Sequence, residues 1–264
     1  MDSRFSNAEA YERQMGRWSQ RLAPLFVDFV GIREGDRVLD VGCGTGSLCF
    51  AVASVTRRSE IVGIDPTGPF VTYARSRNAD PRMRFEVGDA LALPYPNAFF
   101  DKSLASLTLD YIPEAPKAVG EMLRVTRPGG TVAACMWDRG GGMELQRIFW
   151  KTAVVLDPAA GPLADRHRSY GHREKLVDLW VSSGLQSVEV KGLEVPLDFT
   201  SFDDLWLPFL QGQGPAGAFV VGLPSHRQEA LRKKLREKLL GNAPDRSFTL
   251  PALAWAVCGR VPAQ

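Results

Sequence analysis

Between residues 37 and 136 the chain alternates short apolar runs with segments whose apolar residues recur every three or four positions. The runs RVLDV, EIVGID, MRFEV, KSLAS and GTVAACM have the length of strands, and SLCFAVASV, PFVTYARSR and PKAVGEMLRV between them have helical periodicity. This alternation is typical of a parallel sheet whose crossover helices pack back onto it. The sequence therefore predicts a doubly wound α/β fold.

Both ends of the chain extend this core. Residues 8–30 are predicted to form a helical arm, which could divide into two helices at Pro24. After residue 138 the pattern predicts a glycine hinge, helices over residues 143–156 and 173–183, a strand over residues 187–195, a helical insertion over residues 203–240 and a last strand over residues 248–260. We expect a single domain over residues 1–264, made of an arm (residues 1–30), a core (residues 31–138) and a C-terminal part (residues 139–264).

The charge balance and the cysteines narrow the choice of partners. With 32 basic and 30 acidic residues the net charge is +2, so no strong field draws the protein to nucleic acid or to an anionic membrane. The cysteines show no CxxC pair and no histidines at zinc-finger spacing, and no apolar segment has the length of a membrane span or the form of a signal peptide. We expect a cytoplasmic protein without a metal, a nucleic acid or a membrane as partner, and leave its oligomeric state open.

The strongest local motif is VLDVGCGTGSL, residues 38–48, in which a strand ends in a glycine-rich turn before a helix. Glycines let a ligand lie against bare backbone, and the start of a helix offers N–H groups without partners. A dinucleotide-binding turn needs G-x-G-x-x-G, but Ser47 stands where its third glycine would be. The spacing G-x-G-x-G therefore argues against NAD.

Acidic residues follow the next two strands. Asp65 ends the second strand, where a carboxylate can accept hydrogen bonds from two ribose hydroxyls. Asp89 follows the third strand and is placed to receive an exocyclic amine at the same edge of the sheet. The alternative for Asp89 is a purely structural role as the cap of a turn or helix.

Taken together, these pieces resemble the class I S-adenosylmethionine-dependent methyltransferases, and within them the methyltransferase type 11 and ubiquinone/menaquinone-biosynthesis methyltransferase-like group. The resemblance covers residues 37–138 through VLDVGCGTG, GIDPT, EVGDALALPYPNAFFD, SLASLTLDYIPEAPKAVGEMLRVTRPGG and TVAACMWD. It implies a Rossmann-like sheet of seven strands, the last antiparallel. It also implies that S-adenosylmethionine, the cofactor whose product is S-adenosylhomocysteine, lies across the carboxyl ends of the first two strands of the core.

The resemblance assigns cofactor contacts by position. It places Asp40, Gly42, Cys43, Gly44 and Gly46 around the methionine part, Asp65 and Pro66 at the ribose, Asp89 and Ala90 at the adenine, and Ser106 and Leu107 beside the sulfonium. The N-terminal arm resembles the segment that closes over the cofactor in this group, which would bring Tyr11, Met15 and Arg17 near it. Packing alone is the alternative for the arm.

The predicted insertion contains both aromatic residues and a glycine-rich stretch, which indicate where an acceptor could bind. The insertion combines DDLWLPFL with the flexible stretch GQGPAG. We therefore predict a lid in which Trp206, Phe209 and Phe219 line an apolar pocket. The alternative is an insertion that only extends the core. A base is needed only if the acceptor must lose a proton, and the candidates are Asp110 and Tyr111. We expect a small-molecule acceptor, with an RNA or protein methyltransferase, or an inactive cofactor-binding regulatory protein, as alternatives.

Overall fold

The computed structural model describes residues 7–165 and 169–263 and forms one seven-stranded sheet of order β3-β2-β1-β4-β5-β7-β6. The strands are Arg37–Val41 (β1), Glu60–Asp65 (β2), Met83–Val87 (β3), Phe100–Ser106 (β4), Thr126–Trp137 (β5), Gln186–Phe199 (β6) and Phe248–Arg260 (β7). The α-helices are Ala8–Tyr11 (α1), Arg17–Val30 (α2), Ser47–Val55 (α3), Gly68–Arg77 (α4), Ala115–Val125 (α5), Glu144–Leu156 (α6), Gly161–Asp165 (α7), Arg173–Ser182 (α8), Phe202–Trp206 (α9), Gly214–Gly222 (α10) and Ser225–Leu240 (α11).

The predicted sheet is confirmed, including its antiparallel last strand. Strands β1 to β5 pair in parallel, and β7 runs antiparallel to both of its neighbours, β5 and β6. The order of the strands reverses between β1 and β4, because the chain moves outward to β3 and then returns to the other side of β1. Ligands of such sheets bind in the crevice at the carboxyl ends of the strands beside this reversal.

Two apolar layers enclose the sheet. Side chains along β1 alternate between them: Val38 packs with α2, α3 and α6, whereas Leu39 and Val41 pack with α5 and α8 on the opposite face. The helices of the insertion join the first layer, so they lie on the same side of the sheet as the N-terminal arm. No helix in the described ranges is long and apolar enough to span a membrane.

Pro24 does not divide the arm, and the irregularity lies elsewhere. Helix α2 continues through Pro24 because Pro24 and the residue four positions earlier, Gln20, are both exposed, so water can satisfy the carbonyl that loses its partner. The chain instead winds into one π-helical turn at Glu12–Gly16, between α1 and α2. Such turns are frequent at functional sites.

The C-terminal part follows the prediction with shifted boundaries. Strand β6 continues four residues beyond residue 195, and the insertion begins at Phe202. The insertion consists of α9, a 3-10 segment at Leu207–Gln211, α10 and α11. The basic run LRKKLREK lies on α11, where Leu231 and Leu235 are buried and the charged side chains between them face outward.

Candidate functional site

A cavity of about 480 Å³ opens at the carboxyl ends of the central strands. One end is bounded by the turns after β1, β2 and β3, and the other by α6 and the insertion. Sequence-predicted site residues that line it are Tyr11, Met15, Arg17, Gly42, Gly44, Asp65, Pro66, Asp89, Ala90, Ser106, Leu107, Tyr111 and Phe209. The structure thus brings most of the predicted cofactor residues together with part of the predicted acceptor wall.

Each glycine of the turn after β1 has a different reason to be glycine. All three have left-handed backbones, with φ of 74° at Gly42, 53° at Gly44 and 93° at Gly46. A side chain at Gly42 would collide with Thr108, whereas one at Gly44 would meet only the ring of Phe70, at 3.8 Å, and would otherwise enter the cavity. Gly46 does not line the cavity, because it sits against aromatic rings where α3 begins.

Asp65 connects two of these turns through its carboxylate. Oδ2 accepts a hydrogen bond from the backbone N of Gly44 at 2.9 Å, and Oδ1 accepts one from the backbone N of Thr67 at 2.8 Å. Burial raises the pKa of Asp65 above its usual value, and the two backbone hydrogen bonds oppose that rise. Each carboxylate oxygen has a further lone pair, so Asp65 can still receive hydroxyl groups from a ligand in the cavity.

Asp89 combines both of the roles considered for it. Its Oδ1 accepts a hydrogen bond from the backbone N of Leu91 at 2.9 Å, which is the cap of a turn, and the residue also lines the cavity. Ala90 lies beside it, with its side chain buried. The far end of the cavity floor therefore carries one exposed carboxylate and one small apolar residue.

Asp40 and Cys43 lie behind the glycine turn and not in the cavity, contrary to the prediction. Asp40 shares the β1 face of Val38 beneath α3, where its Oδ2 accepts a hydrogen bond from the Sγ of Cys49 at 3.3 Å. Burial raises the pKa of Asp40 to about 7. The side chain of Cys43, in the turn after β1, is buried against Gly63 of β2, so both side chains lie in the core.

The turn after β4 contributes backbone strain and one candidate base. Leu107 has a φ of 59°, unusual for a residue other than glycine, and its backbone N donates to the carbonyl of Cys135 at 2.8 Å. Strained residues of this kind cluster at functional sites. Of the predicted bases, Tyr111 lines the cavity, whereas Asp110 is turned away and its Oδ1 accepts from the backbone N of Tyr170 at 2.9 Å.

The N-terminal arm covers the cavity and is tied to both of its ends. Glu12, in the π-helical turn, accepts a hydrogen bond from the hydroxyl of Thr45 at 2.5 Å and lies 3.6 Å from the guanidinium of Arg77. Arg17 forms an ion pair with Asp204 of α9 at 2.8 Å. The sequence prediction missed Glu12, because the segment YERQMG gives no periodic signal for the π-helical turn.

The acceptor end differs from the prediction in its exact residues. Phe209 lines the cavity, but Trp206 and Phe219 support the wall from behind: Trp206 packs edge-on against Phe209, and Phe219 packs on Trp150 at a ring distance of 5.7 Å. Leu205 faces the cavity, and a rotation of about 100° per residue along α9 turns Trp206 into the core.

The sequence prediction also missed part of this wall. Its members end or follow β5, lie on α6 or end β6, and they are Trp137, Arg139, Leu145, Gln146, Phe149, Trp150 and Phe199. The four-residue spacing of Leu145 and Phe149, and of Gln146 and Trp150, places these pairs on one side of α6 and could have indicated a lining surface.

A family profile described as a methyltransferase domain matches residues 32–159, which contain the glycine turn, Asp65, Asp89 and the turn after β4. This part of the chain is therefore similar to a methyltransferase domain. Relatives of this chain include the 2-phytyl-1,4-naphtoquinone methyltransferase of Synechocystis, 35% identical over 140 residues that span 51% of this chain and 59% of the relative. The 27-O-demethylrifamycin SV methyltransferase of Amycolatopsis mediterranei is 35% identical over 117 residues, 43% of each chain. The chain thus spans about half the length of these two relatives.

A solved structure resembles this chain over nearly the whole length of the chain. The phosphoethanolamine N-methyltransferase 2 of Haemonchus contortus, in complex with S-adenosyl-L-methionine, aligns with a TM-score of 0.59 at 20% identity. The alignment covers 97% of this chain and 57% of that one. At this level of identity the comparison establishes the fold, including the part of the chain beyond residue 159.

The residues at one end of the cavity fit the three parts of S-adenosylmethionine. Gly42 and Gly44 offer backbone without side chains to an amino acid chain, Asp65 offers carboxylate oxygens to ribose hydroxyls, and Asp89 with Ala90 offers an acceptor and an apolar surface to an adenine. Tyr11 and Phe70, whose rings lie 5.2 Å apart, cover this end of the cavity from the arm and α4.

Proposed function

We propose that this chain transfers a methyl group from S-adenosylmethionine to a small-molecule acceptor with a largely apolar body. The observation that carries the proposal is the continuity of the cavity. The same cavity extends from the glycine turn, Asp65 and Asp89 to the aromatic residues of α6 and the insertion. Cofactor and acceptor can therefore meet without solvent between them.

In this proposal the sheet order separates the two ligands. Strand β4 lies between β1, which carries the glycine turn, and β5, which leads to α6. With the sulfur beside Ser106 and Leu107, the adenosine extends over β2 and β3, and the space beyond β4 is left for the acceptor. Phe149, Trp150 and Phe209 bound that space, so an apolar acceptor gains from their burial on binding.

The names of the two curated relatives support a small molecule as acceptor. One names a naphthoquinone and the other a demethylrifamycin, and both are organic compounds with apolar ring systems. Neither name identifies the acceptor of this chain, because the similarity covers about half of each relative. The names of the two relatives therefore support only the general class of acceptor, a small organic molecule.

Alignment and exclusion of water supply most of the catalysis in this proposal. S-adenosylmethionine, when bound, provides a methyl group on a positively charged sulfur. The protein holds the acceptor in line with the bond that breaks, and the arm and the insertion close the cavity, joined by the ion pair of Arg17 and Asp204. Tyr111 is placed to hydrogen-bond an acceptor at the turn after β4.

Calorimetric titration with S-adenosylhomocysteine tests the cofactor half of the proposal. Gly44→Val should abolish binding, because the new side chain enters the cavity beside the backbone that the ligand contacts. Gly35→Val is the matched control: Gly35 also has a left-handed backbone, φ 84°, with nothing near its missing side chain, but it does not line the cavity. Unchanged affinity in a folded Gly44→Val protein, or tighter binding of NAD than of S-adenosylhomocysteine, would contradict the assignment.

The transfer half is tested by following the methyl group itself. The protein is incubated with S-adenosylmethionine labelled in the methyl group and with separate pools of metabolites, RNA and protein. The label should appear in low-mass compounds, and Gly44→Val should remove that signal. Label in RNA or protein would favour a macromolecular acceptor, and no transfer to any pool would favour a binding protein without activity.

A further inference from the structure

Arg139 is a cationic side chain of the cavity wall whose buried donors have no partner. It follows the end of β5, two residues after Trp137, and lines the cavity. Its Nε and Nη1 are inaccessible to solvent and donate no hydrogen bond, and within residues 7–165 and 169–263 it forms no ion pair. The neighbouring carboxylate of Asp138 is already engaged by the backbone N atoms of Gly140 and Gly142 and by the indole of Trp255, at 2.7–3.0 Å.

The stem of Arg139 is held in place by a neighbouring turn. Its backbone N donates to the carbonyl of Gly171 at 2.9 Å, and a side chain at Gly171 would overlap the stem of Arg139. Asp110 fixes the same turn by accepting a hydrogen bond from the backbone N of Tyr170. Asp110, a candidate base in the sequence, is thus part of the support for Arg139.

The position of Arg139 separates it from the predicted adenosine contacts. Strand β5 lies beyond β4 in the sheet, on the side away from β2 and β3, whose ends carry Asp65 and Asp89. The other arginine of the cavity, Arg17, is paired with Asp204. Arg139 is therefore placed on the acceptor side, with its charge uncompensated there.

Further buried polar atoms without partners line the same cavity. They are the Nε1 of Trp137 and the Nε of Arg17, which are donors, and the Oε1 atoms of Gln146 and Gln213, which are acceptors. Polar groups that are buried in native proteins are nearly always hydrogen-bonded. A ligand with polar oxygens on an otherwise apolar body would satisfy these groups.

We propose that Arg139 binds an oxyanion of the acceptor, such as a carboxylate, phenolate or enolate oxygen carried by an apolar ring. The inference rests on the proposed function and narrows its acceptor from small apolar molecules to anionic ones. The guanidinium forms charge-assisted hydrogen bonds from Nε and Nη1, which fix the orientation of the acceptor as well as its affinity. Trp137, Gln146 and Gln213 hydrogen-bond other polar groups along the acceptor.

The test compares two probes of the same shape that differ in charge. 2-Naphthoate and its neutral amide, 2-naphthamide, are titrated into the protein saturated with S-adenosylhomocysteine, and binding is followed by the fluorescence of Trp137 and Trp150, which line the cavity. The wild-type protein should prefer the naphthoate. Arg139→Gln should weaken naphthoate binding by about tenfold or more, the size expected for hydrogen bonds to a charged group, and should leave the amide little changed.

Two further variants and two control measurements make the result decisive. Arg139→Lys keeps the charge and should retain part of the preference, and Arg147→Gln removes an arginine of α6 that does not line the cavity and should change nothing. Thermal unfolding checks that each variant is folded. Titration with S-adenosylhomocysteine alone should give the same affinity for Arg139→Gln as for the wild-type protein.

Each other outcome counts against the proposal. If Arg139→Gln weakens S-adenosylhomocysteine, Arg139 binds the carboxylate of the cofactor and not the acceptor. If the wild-type protein binds both probes equally, or binds no naphthoate, the site does not select an apolar oxyanion. If the wild-type protein does not bind S-adenosylhomocysteine at all, the proposed function itself is wrong.

Discussion

Asp40 and Asp65 end neighbouring parallel strands, but their environments give them different tasks. Asp65 reaches the cavity and joins two turns, whereas Asp40 is buried beneath α3. The sequence could identify Asp65 from its spacing after the glycine turn. It could not reveal that Asp40 faces Cys49, because that contact depends on which face of β1 the helix covers.

Removing the carboxylate of Asp65 tests its predicted contact with the ribose. Asp65→Ala should weaken S-adenosylmethionine binding by about 1.5–3 kcal/mol, the range for hydrogen bonds to charged groups. Glu60→Ala, at the exposed start of the same strand, is the control and should have no effect. Calorimetry that finds less than a twofold change for Asp65→Ala would show that the residue only holds the turns together.

The buried carboxyl of Asp40 should make stability depend on pH. Burial raises its pKa from 3.8 to about 7 in the folded protein, so between these values the folded state binds more protons than the unfolded state. The free energy of unfolding should therefore fall as the pH rises from about 4 to about 7, and the contribution of Asp40 should be constant above that window. Asp40→Asn should remove this fall, so its stability relative to wild type should rise by up to about 4 kcal/mol across the window. Urea denaturation at several pH values gives the free energy of unfolding of both proteins. If this free energy depends on pH in the same way in Asp40→Asn as in wild type, the account is refuted.

At the level of elements, the N-terminal arm links the glycine turn to the insertion. Glu12 contacts Thr45 in the turn after β1, and Arg17 contacts Asp204 in α9. Helical periodicity predicted the arm, and short apolar runs predicted the central strands, because β1, β2 and β4 are buried along nearly their whole length. It could not predict the π-helical turn, which depends on Gly16 leaving space for the side chain of Glu12.

The arm should control how fast the cofactor product leaves. Glu12→Ala removes the hydrogen bond to Thr45 and the charge beside Arg77, so the dissociation rate of S-adenosylhomocysteine should rise by about 3- to 30-fold. Glu9→Ala is the matched control, because Glu9 is exposed and its nearest ion-pair partner, Arg13, lies at 4.0 Å. Stopped-flow traces that do not distinguish the two variants would mean that the arm does not hold the cofactor.

At the level of the whole molecule, the sheet brings distant parts of the chain to one cavity. The cofactor end comes from consecutive turns of the core, and their order in the sequence made that end predictable. The acceptor end combines α6, the end of β6 and the insertion, and β7, the last strand of the chain, lies between β5 and β6 in the sheet. The sequence indicated aromatic bulk there, but the contacts between these distant segments decide which rings face inward.

A bulky side chain at the acceptor end of the cavity should weaken binding of the acceptor and leave binding of the cofactor unchanged. Ala216 lines the cavity on α10, so Ala216→Trp should weaken 2-naphthoate binding strongly while S-adenosylhomocysteine affinity stays within about twofold of wild type. Val221→Trp, at an exposed position of the same helix, is the control. Equal losses of both ligands in Ala216→Trp would contradict a separate acceptor compartment.

The central claim, that cofactor and acceptor share this cavity on either side of β4, is tested most directly by a crystal structure of the protein with S-adenosylmethionine. We expect the ribose hydroxyls on the carboxylate of Asp65 and the adenine beside Asp89 and Ala90. The methyl group should lie next to Leu107 and point toward Phe149, Trp150 and Phe209. A cofactor bound elsewhere, or bound here with its methyl group directed away from these rings, would contradict the account.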